Sequence, residues 1–160
     1  MNREEVERLY DARYARSYSE RFLLSDITRP DAEFEITVLR RLLAAGASWL
    51  DVACGTGHFL SKFPQAARAG LDVSPDMLEI ARKANPGVTF HQGDFRDDIP
   101  EWCDRWGLVS CMWYAYGLVD SLREIRTVMG NLAAWTSPDG TCFVPSPILG
   151  KSPRSICPVR

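Results

Sequence analysis

The sequence predicts an α/β fold: an open, mostly parallel sheet with helices on both faces. Three observations predict it. The stretch Trp49-Leu-Asp-Val-Ala-Cys-Gly-Thr-Gly-His-Phe59 reads as a buried strand that runs into a glycine turn and then a helix. Short apolar runs alternate with helical patterns along the chain, as parallel strands with crossover helices require. Asp51, Asp72 and Asp94 lie at or near the ends of successive runs, at the carboxyl edge where such sheets hold ligands.

Taken in order, residues 3–23 read as one helix, with Val6, Tyr10, Tyr14, Tyr18 and Phe22 recurring every fourth residue. That stripe either lines a pocket or packs the helix on the body. Thr28-Arg-Pro-Asp opens a second helix that carries Phe34, Val38 and Leu42 and ends near Gly46. In the glycine turn, Gly55 and Gly57 remove Cβ atoms, so a ligand can approach the backbone, and the turn's N–H groups and the next helix suit an anion. Asp51 offers an acceptor for a cation. Residues 66–72 form a second strand, and Ser74-Pro75 starts a helix with Met77, Ile80, Ala81 and Ala84 inward. After the turn Asn85-Pro86-Gly87, residues 88–91 are a third strand with Gly93-Asp94-Phe95 as its exit loop.

Residues 96–106 read as polar and irregular, and residues 107–112 as a fourth strand followed by the aromatic loop Trp113-Tyr-Ala-Tyr116. Ser121 with Glu124 forms a capping box for a helix with Leu122, Ile125, Met129 and Leu132 in phase. Ser137-Pro-Asp-Gly140 is a turn, and residues 141–144 a fifth strand. The organisation expected is a helical cap at 1–46, a core at 47–145 and a proline-rich tail at 146–160.

At 160 residues and 46% apolar, the chain suffices for one self-supporting domain. A net charge of −2 supplies no footprint for nucleic acid. No apolar run reaches membrane-spanning length and the first residues are too charged for a signal peptide, so the expected setting is cytoplasmic. The five cysteines are scattered without a C-x-x-C pair, which points to reduced thiols and no metal site.

These residues resemble the class I methyltransferases that use S-adenosylmethionine, especially the group acting on small molecules. Leu50-Asp-Val-Ala-Cys-Gly-Thr-Gly57 is similar to the family's first motif, Gly70-Leu-Asp-Val-Ser-Pro-Asp-Met77 to its second-strand motif, and Gly93-Asp94-Phe95 to its third. Ser137-Pro-Asp-Gly140 resembles the turn before strand five, with Asp139 in place of a glycine, and Leu9-Tyr-Asp-x-x-Tyr14 the N-terminal helix. Three motifs on consecutive strand ends are specific where one would be weak. The rival, a dinucleotide-binding oxidoreductase, needs a third glycine where Leu60 stands.

The resemblance implies a Rossmann-like fold with S-adenosylmethionine as cofactor, S-adenosylhomocysteine as product, and the following roles. The main chain at Ala53, Gly55 and Gly57 would hold the methionine end, where a side chain on either glycine would intrude. Asp72 would accept from both ribose hydroxyls, since a carboxylate matches a vicinal diol. Val73 and Met77 would border the adenine, Asp94 accept its amino group and Phe95 cover the ring, with Gly93 in the same loop. Met112 and Trp113 would approach the methionine portion or else serve ordinary packing. Tyr14 is the first candidate for closing the pocket, beside Tyr10 and Tyr18; Tyr114 and Tyr116 would face the substrate. His58 and His91 read as structural, and no general base is assigned. The absence of an Asn-Pro-Pro-Tyr signature, with Met112-Trp-Tyr-Ala in its place, favours a small metabolite methylated on nitrogen or oxygen.

The family pattern continues through two more strands that this chain lacks after strand five. The expectation is that strands four and five leave an edge open, covered first by a second copy, or else by the tail, or left bare in a shortened product of impaired activity; the alternative is a silent cofactor-binding or regulatory subunit.

Overall fold

The computed structural model describes residues 1–23, 25–43 and 45–145. The expected tail at 146–160, with Cys157, lies outside them. The expected parallel sheet is present, in the order β3-β2-β1-β4-β5, every pairing parallel. Its strands are β1 (Trp49–Val52), β2 (Arg68–Asp72), β3 (Thr89–Gln92), β4 (Trp106–Cys111) and β5 (Thr136–Phe143).

Seven-residue helices α1 (Arg3–Leu9) and α2 (Ala12–Tyr18) replace the single helix predicted at 3–23. Asp11 breaks it, because its carboxylate takes the N–H groups of Arg13 and Tyr14 and so caps a new helix. A π-turn follows at Ser19–Leu23. The other helices are α3 (Arg29–Leu42), α4 (His58–Ser61), α5 (Pro75–Ala84) and α6 (Leu122–Trp135). Ser74 caps α5 through Met77 N–H, and Ser121 caps α6 through Glu124 N–H, as predicted.

Strand alternation divides the core into two layers. Trp49 and Leu108 pack with Leu39, Phe59, Leu60, Phe63 and Leu78 beneath α3, α4 and α5. Leu50, Val52, Leu71 and Val109 pack with Val128, Leu132 and Trp135 beneath α6.

Three expectations change. The supposed irregular segment 96–106 contains the turn Pro100–Trp102, whose Trp102 is buried with its ring 5.2 Å from Trp135 and 4.8 Å from His91. Leu122, predicted in phase on α6, is 74% exposed, and Val128 and Trp135 belong to the inward face instead. β5 starts at Thr136, and the turn predicted at 137–140 is an excursion inside it: the register jumps from Trp106↔Thr136 to Leu108↔Thr141. β4 is paired on both sides, so among the described residues only β5 and β3 present sheet edges.

Candidate functional site

A cavity opens over the carboxyl ends of β1, β2 and β4, roofed by α1, Tyr10 after it and Tyr18 at the end of α2. Asp51, Ala53, Gly55, Asp72, Val73 and Met77, all residues of the motifs, line it from the sheet side. Gly93, Asp94 and Phe95 border one end, and Met112, Trp113 and Tyr114 the other.

At the centre, the Asp72 carboxylate accepts from Gly55 N–H at 2.7 Å on Oδ2 and from Ser74 N–H at 2.9 Å on Oδ1. The Val73 N–H lies close enough to contribute as well, and the carboxylate still keeps acceptor capacity for an outside hydroxyl group. Burial lifts the carboxyl to about 6 against the lowering effect of those N–H groups.

Asp51 is held differently. Ser110 Oγ takes the Trp49 indole N–H at 2.8 Å and donates to Asp51 Oδ1 at 2.6 Å. Asp51 Oδ2 is buried with no hydrogen-bond partner among the described residues. Burial, only partly offset by Ser110, lifts this carboxyl to about 7. An orphaned carboxylate oxygen in a cavity wall is a place for a cationic donor.

The glycine turn is not the open anion cradle expected. Three of its N–H groups are committed: Cys54 to Leu71 O, Gly55 to Asp72, and Gly57 to Cys54 O. The following helix α4 is a single turn, too short to supply a strong dipole. The two glycines also differ. Gly55, at φ +54°, has open space where a Cβ would point. Gly57, at φ +71°, does not line the cavity; a Cβ there would meet Asn85 Nδ2 at 2.6 Å and Ala81 at 3.2 Å. Its role is the close approach of this turn to α5, where Asn85 Nδ2 donates to Gly57 O and Ala81 O.

Asp94 is engaged by a residue the sequence reading passed over. Arg96 donates through Nε to Oδ1 at 2.8 Å, through Nη2 to Oδ2 at 2.6 Å and through its backbone N–H to Oδ1 at 2.9 Å. Burial would raise Asp94, but Arg96 outweighs it and holds the carboxyl below its ordinary value. Arg96 also reaches Glu124 on α6 at 2.9 Å and Met1 O at 3.3 Å, which ties the α1 end of the roof to this corner. One lone pair on Asp94 Oδ2 remains for an outside donor.

The tyrosine stripe divides. Tyr10 and Tyr18 line the cavity, with burial raising both phenols. Tyr14, the first candidate for closure, does not line it. It borders a separate surface hollow with Asp11, Arg13 and Ser17, and the Arg21 guanidinium lies 5.9 Å over its ring. Asp11, by starting a new helix, sets that turn of the chain. Tyr116 also misses the cavity: its ring packs in the α6 layer and its hydroxyl donates to Pro145 O at 3.2 Å. His58 does line the cavity, and burial lowers it to about 4, so it is neutral near pH 7. Val6, Leu118 and Val119 complete an apolar lining that no motif announced.

Among the described residues no group of three or more His, Cys, Asp or Glu could hold a metal, and no helix is long and apolar enough to cross a membrane.

A family model described as a methyltransferase domain matches residues 50–140, from β1 through the excursion in β5. The chain belongs to this methyltransferase family. Over 109 residues, 67% of this chain and 42% of the relative, it is 38% identical to a dTDP-3-amino-3,6-dideoxy-alpha-D-glucopyranose N,N-dimethyltransferase of Streptomyces fradiae. It is 42% identical over 78 residues, 46% of this chain and 29% of the relative, to a trans-aconitate 2-methyltransferase of Methylobacterium nodulans. Among solved structures it is similar to SAM-bound CalS10, an amino pentose methyltransferase from Micromonospora echinaspora, at TM-score 0.63 and 29% identity, covering 72% of this chain and 49% of that one. The methyltransferase domain described here thus spans half or less of each of these proteins.

Proposed function

We propose that this chain binds S-adenosylmethionine and directs its methyl group to a nitrogen of a small-molecule acceptor. The observation that carries the reading is Asp72: a buried carboxylate in the cavity wall, fixed by Gly55 and Ser74, with acceptor capacity left toward the cavity. That capacity suits the ribose diol. Asp51 Oδ2 suits the ammonium of the methionine end, beside the main chain of Ala53 and Gly55. Val73 and Met77 suit one face of the adenine and Phe95 the other, with the remaining lone pair of Asp94 on its amino group. Met112 and Trp113, also in the cavity wall, suit the methionine side.

The bound cofactor would supply an electrophilic methyl on a sulfonium. The protein's part is to align an acceptor and exclude water, and the apolar lining of Val6, Phe59, Leu118 and Val119 supports the second task. Similarity to the amino-sugar methyltransferases supports nitrogen as the methylated atom. The low net charge and the free thiols at Cys54, Cys103 and Cys111 support a cytoplasmic setting without nucleic acid. Among the described residues the outer edge of β5 is unpaired, which supports a homodimer that covers it; a scattering mass of a single 18.0 kDa chain overturns that part.

The test is calorimetric titration with S-adenosylmethionine and S-adenosylhomocysteine, followed by transfer of labelled methyl onto a pool of amines. Binding of both with transfer is the expected result. Binding without transfer identifies a silent subunit, and binding of neither overturns the reading.

A further inference from the structure

Three buried polar atoms near the carboxyl ends of β1 and β4 lack a hydrogen-bond partner among the described residues: Asp51 Oδ2, Trp113 Nε1 and Glu35 Oε2. Folded proteins rarely leave such atoms unpaired without a ligand, a water or a strained functional site to explain them. Asp51 and Trp113 line the cavity, and the cofactor reading uses the first. Glu35 has no such explanation.

Glu35 lies on α3 between Ala32 and Leu39, on the face turned to the sheet, and is only 8% exposed. That face packs on Trp49, Leu108 and Met112. Strand alternation puts Asp51 on the same side of β1 as Trp49, and Ser110 on the same side of β4 as Leu108. Glu35 and Asp51 therefore occupy one layer, between α3 and the sheet. Burial raises the Glu35 carboxyl to about 8, with repulsion from Asp31 on its own helix and from Asp51 on β1. Burial, then Glu35 and Asp31, likewise raise the Tyr114 phenol on the loop after β4. None of these neighbours is a cation.

Glu35 does not itself line the cavity, whereas Trp113 and Tyr114 do. These two residues stand consecutively in the left-handed region, at φ +53° and +56°, and neither is glycine. Such strain concentrates at segments that move or bind.

We propose that Glu35 is the acceptor-side carboxylate of this site, uncovered by movement of the Trp113-Tyr114 turn, and that the group it receives is a primary or secondary ammonium. This rests on the cofactor reading above and adds the acceptor's chemical class. The incoming cation favours the ionised form of Glu35 and displaces its proton to solvent; an N–H of the ammonium then breaks and its proton goes to Glu35 Oε2, which leaves the nitrogen its lone pair. That lone pair is what the electrophilic methyl of a bound cofactor would require, with the C–S electron pair left on sulfur as a neutral thioether. An alcohol brings no charge to compensate the buried carboxylate, and a carboxylate acceptor is repelled by it.

The test titrates the full chain, saturated with S-adenosylhomocysteine, with three probes: dTDP-3-amino-3,6-dideoxyglucose, its 3-hydroxy counterpart and trans-aconitate. The parent chain should prefer the amino probe by about tenfold or more, the range of a hydrogen bond to a charged group. Glu35→Gln and Glu35→Leu should abolish that preference and leave S-adenosylhomocysteine affinity unchanged, which also shows that both variants fold. A parent chain that binds S-adenosylhomocysteine but shows no amino preference, or a preference that survives both substitutions, overturns the role of Glu35 alone. A parent chain that binds no S-adenosylhomocysteine overturns the cofactor reading and this inference with it.

Discussion

The backbone N–H of Gly55 donates to Asp72 Oδ2 at 2.7 Å, so the turn after β1 and the acid that ends β2 form one unit. Parallel pairing of Asp51 with Gly70 and Val52 with Leu71 sets the two strand ends side by side and makes this bond possible. Asp72→Ala removes two acceptors from the cavity wall and frees the Gly55 N–H. Cofactor affinity should fall by roughly 100-fold, from two charge-assisted hydrogen bonds at about 1.5 kcal/mol or more each. Calorimetry with S-adenosylhomocysteine checks it, and an unchanged affinity removes Asp72 from the ribose.

The two glycines of the turn should fail in different ways. Gly57→Ala forces a Cβ into Asn85 Nδ2 at a left-handed φ, so thermal unfolding should show a loss of about 2–3 kcal/mol. Gly55→Ala meets only open space and should cost about 1 kcal/mol of backbone strain. Its larger effect should be on cofactor affinity, because that space belongs to the cavity. Equal stability losses in the two variants would remove the distinction.

Strand ends were legible in the sequence because an apolar run stopped by an acid or a glycine has few other readings, and Asp51, Asp72 and Asp94 all reach the cavity. Other features depend on contacts that spacing does not encode. Tyr10 and Tyr14 share one helical phase on paper, yet the Asp11 cap starts a new helix between them and separates their destinations. Arg96 stands in a segment whose spacing marks no residue, and only its fork on Asp94 gives it a role. Glu35 sits between apolar residues on an amphipathic helix, where its burial follows from what α3 covers. The polar tally of residues 96–106 hid Trp102, because one indole among charges is enough to anchor a turn in the core.

Asp51 and Asp72 should set the acid side of the stability profile. Both carboxyls are raised in the folded chain, to about 7 and about 6, so the folded state binds their protons more tightly than the unfolded state does. Their contribution is therefore complete below the ordinary carboxyl range and is lost as pH rises through those values. Between pH 4 and 7 this pair should make the protein less stable as pH rises. Asp51→Asn should remove a share on the order of 2–4 kcal/mol and flatten the slope over that window. Chemical denaturation at several pH values reads it, and an unaltered slope would place the titration elsewhere.

Tyr10 and Tyr14 provide the last contrast, since their rings touch, 5.1 Å apart and edge to face, yet only Tyr10 borders the cavity. Tyr14 stacks outward toward Phe22 at 5.9 Å beneath Arg21. Tyr14→Ala should cost about 1–2 kcal/mol of stability through lost ring contacts and leave cofactor affinity nearly unchanged. Tyr10→Ala opens the roof beside Ser74, whose hydroxyl donates to Tyr10 O at 2.7 Å, and should weaken cofactor binding by about tenfold. Paired thermal melts and titrations of the two variants decide the matter. If Tyr14→Ala loses affinity as severely as Tyr10→Ala, the outward face of the stripe takes part in closure after all.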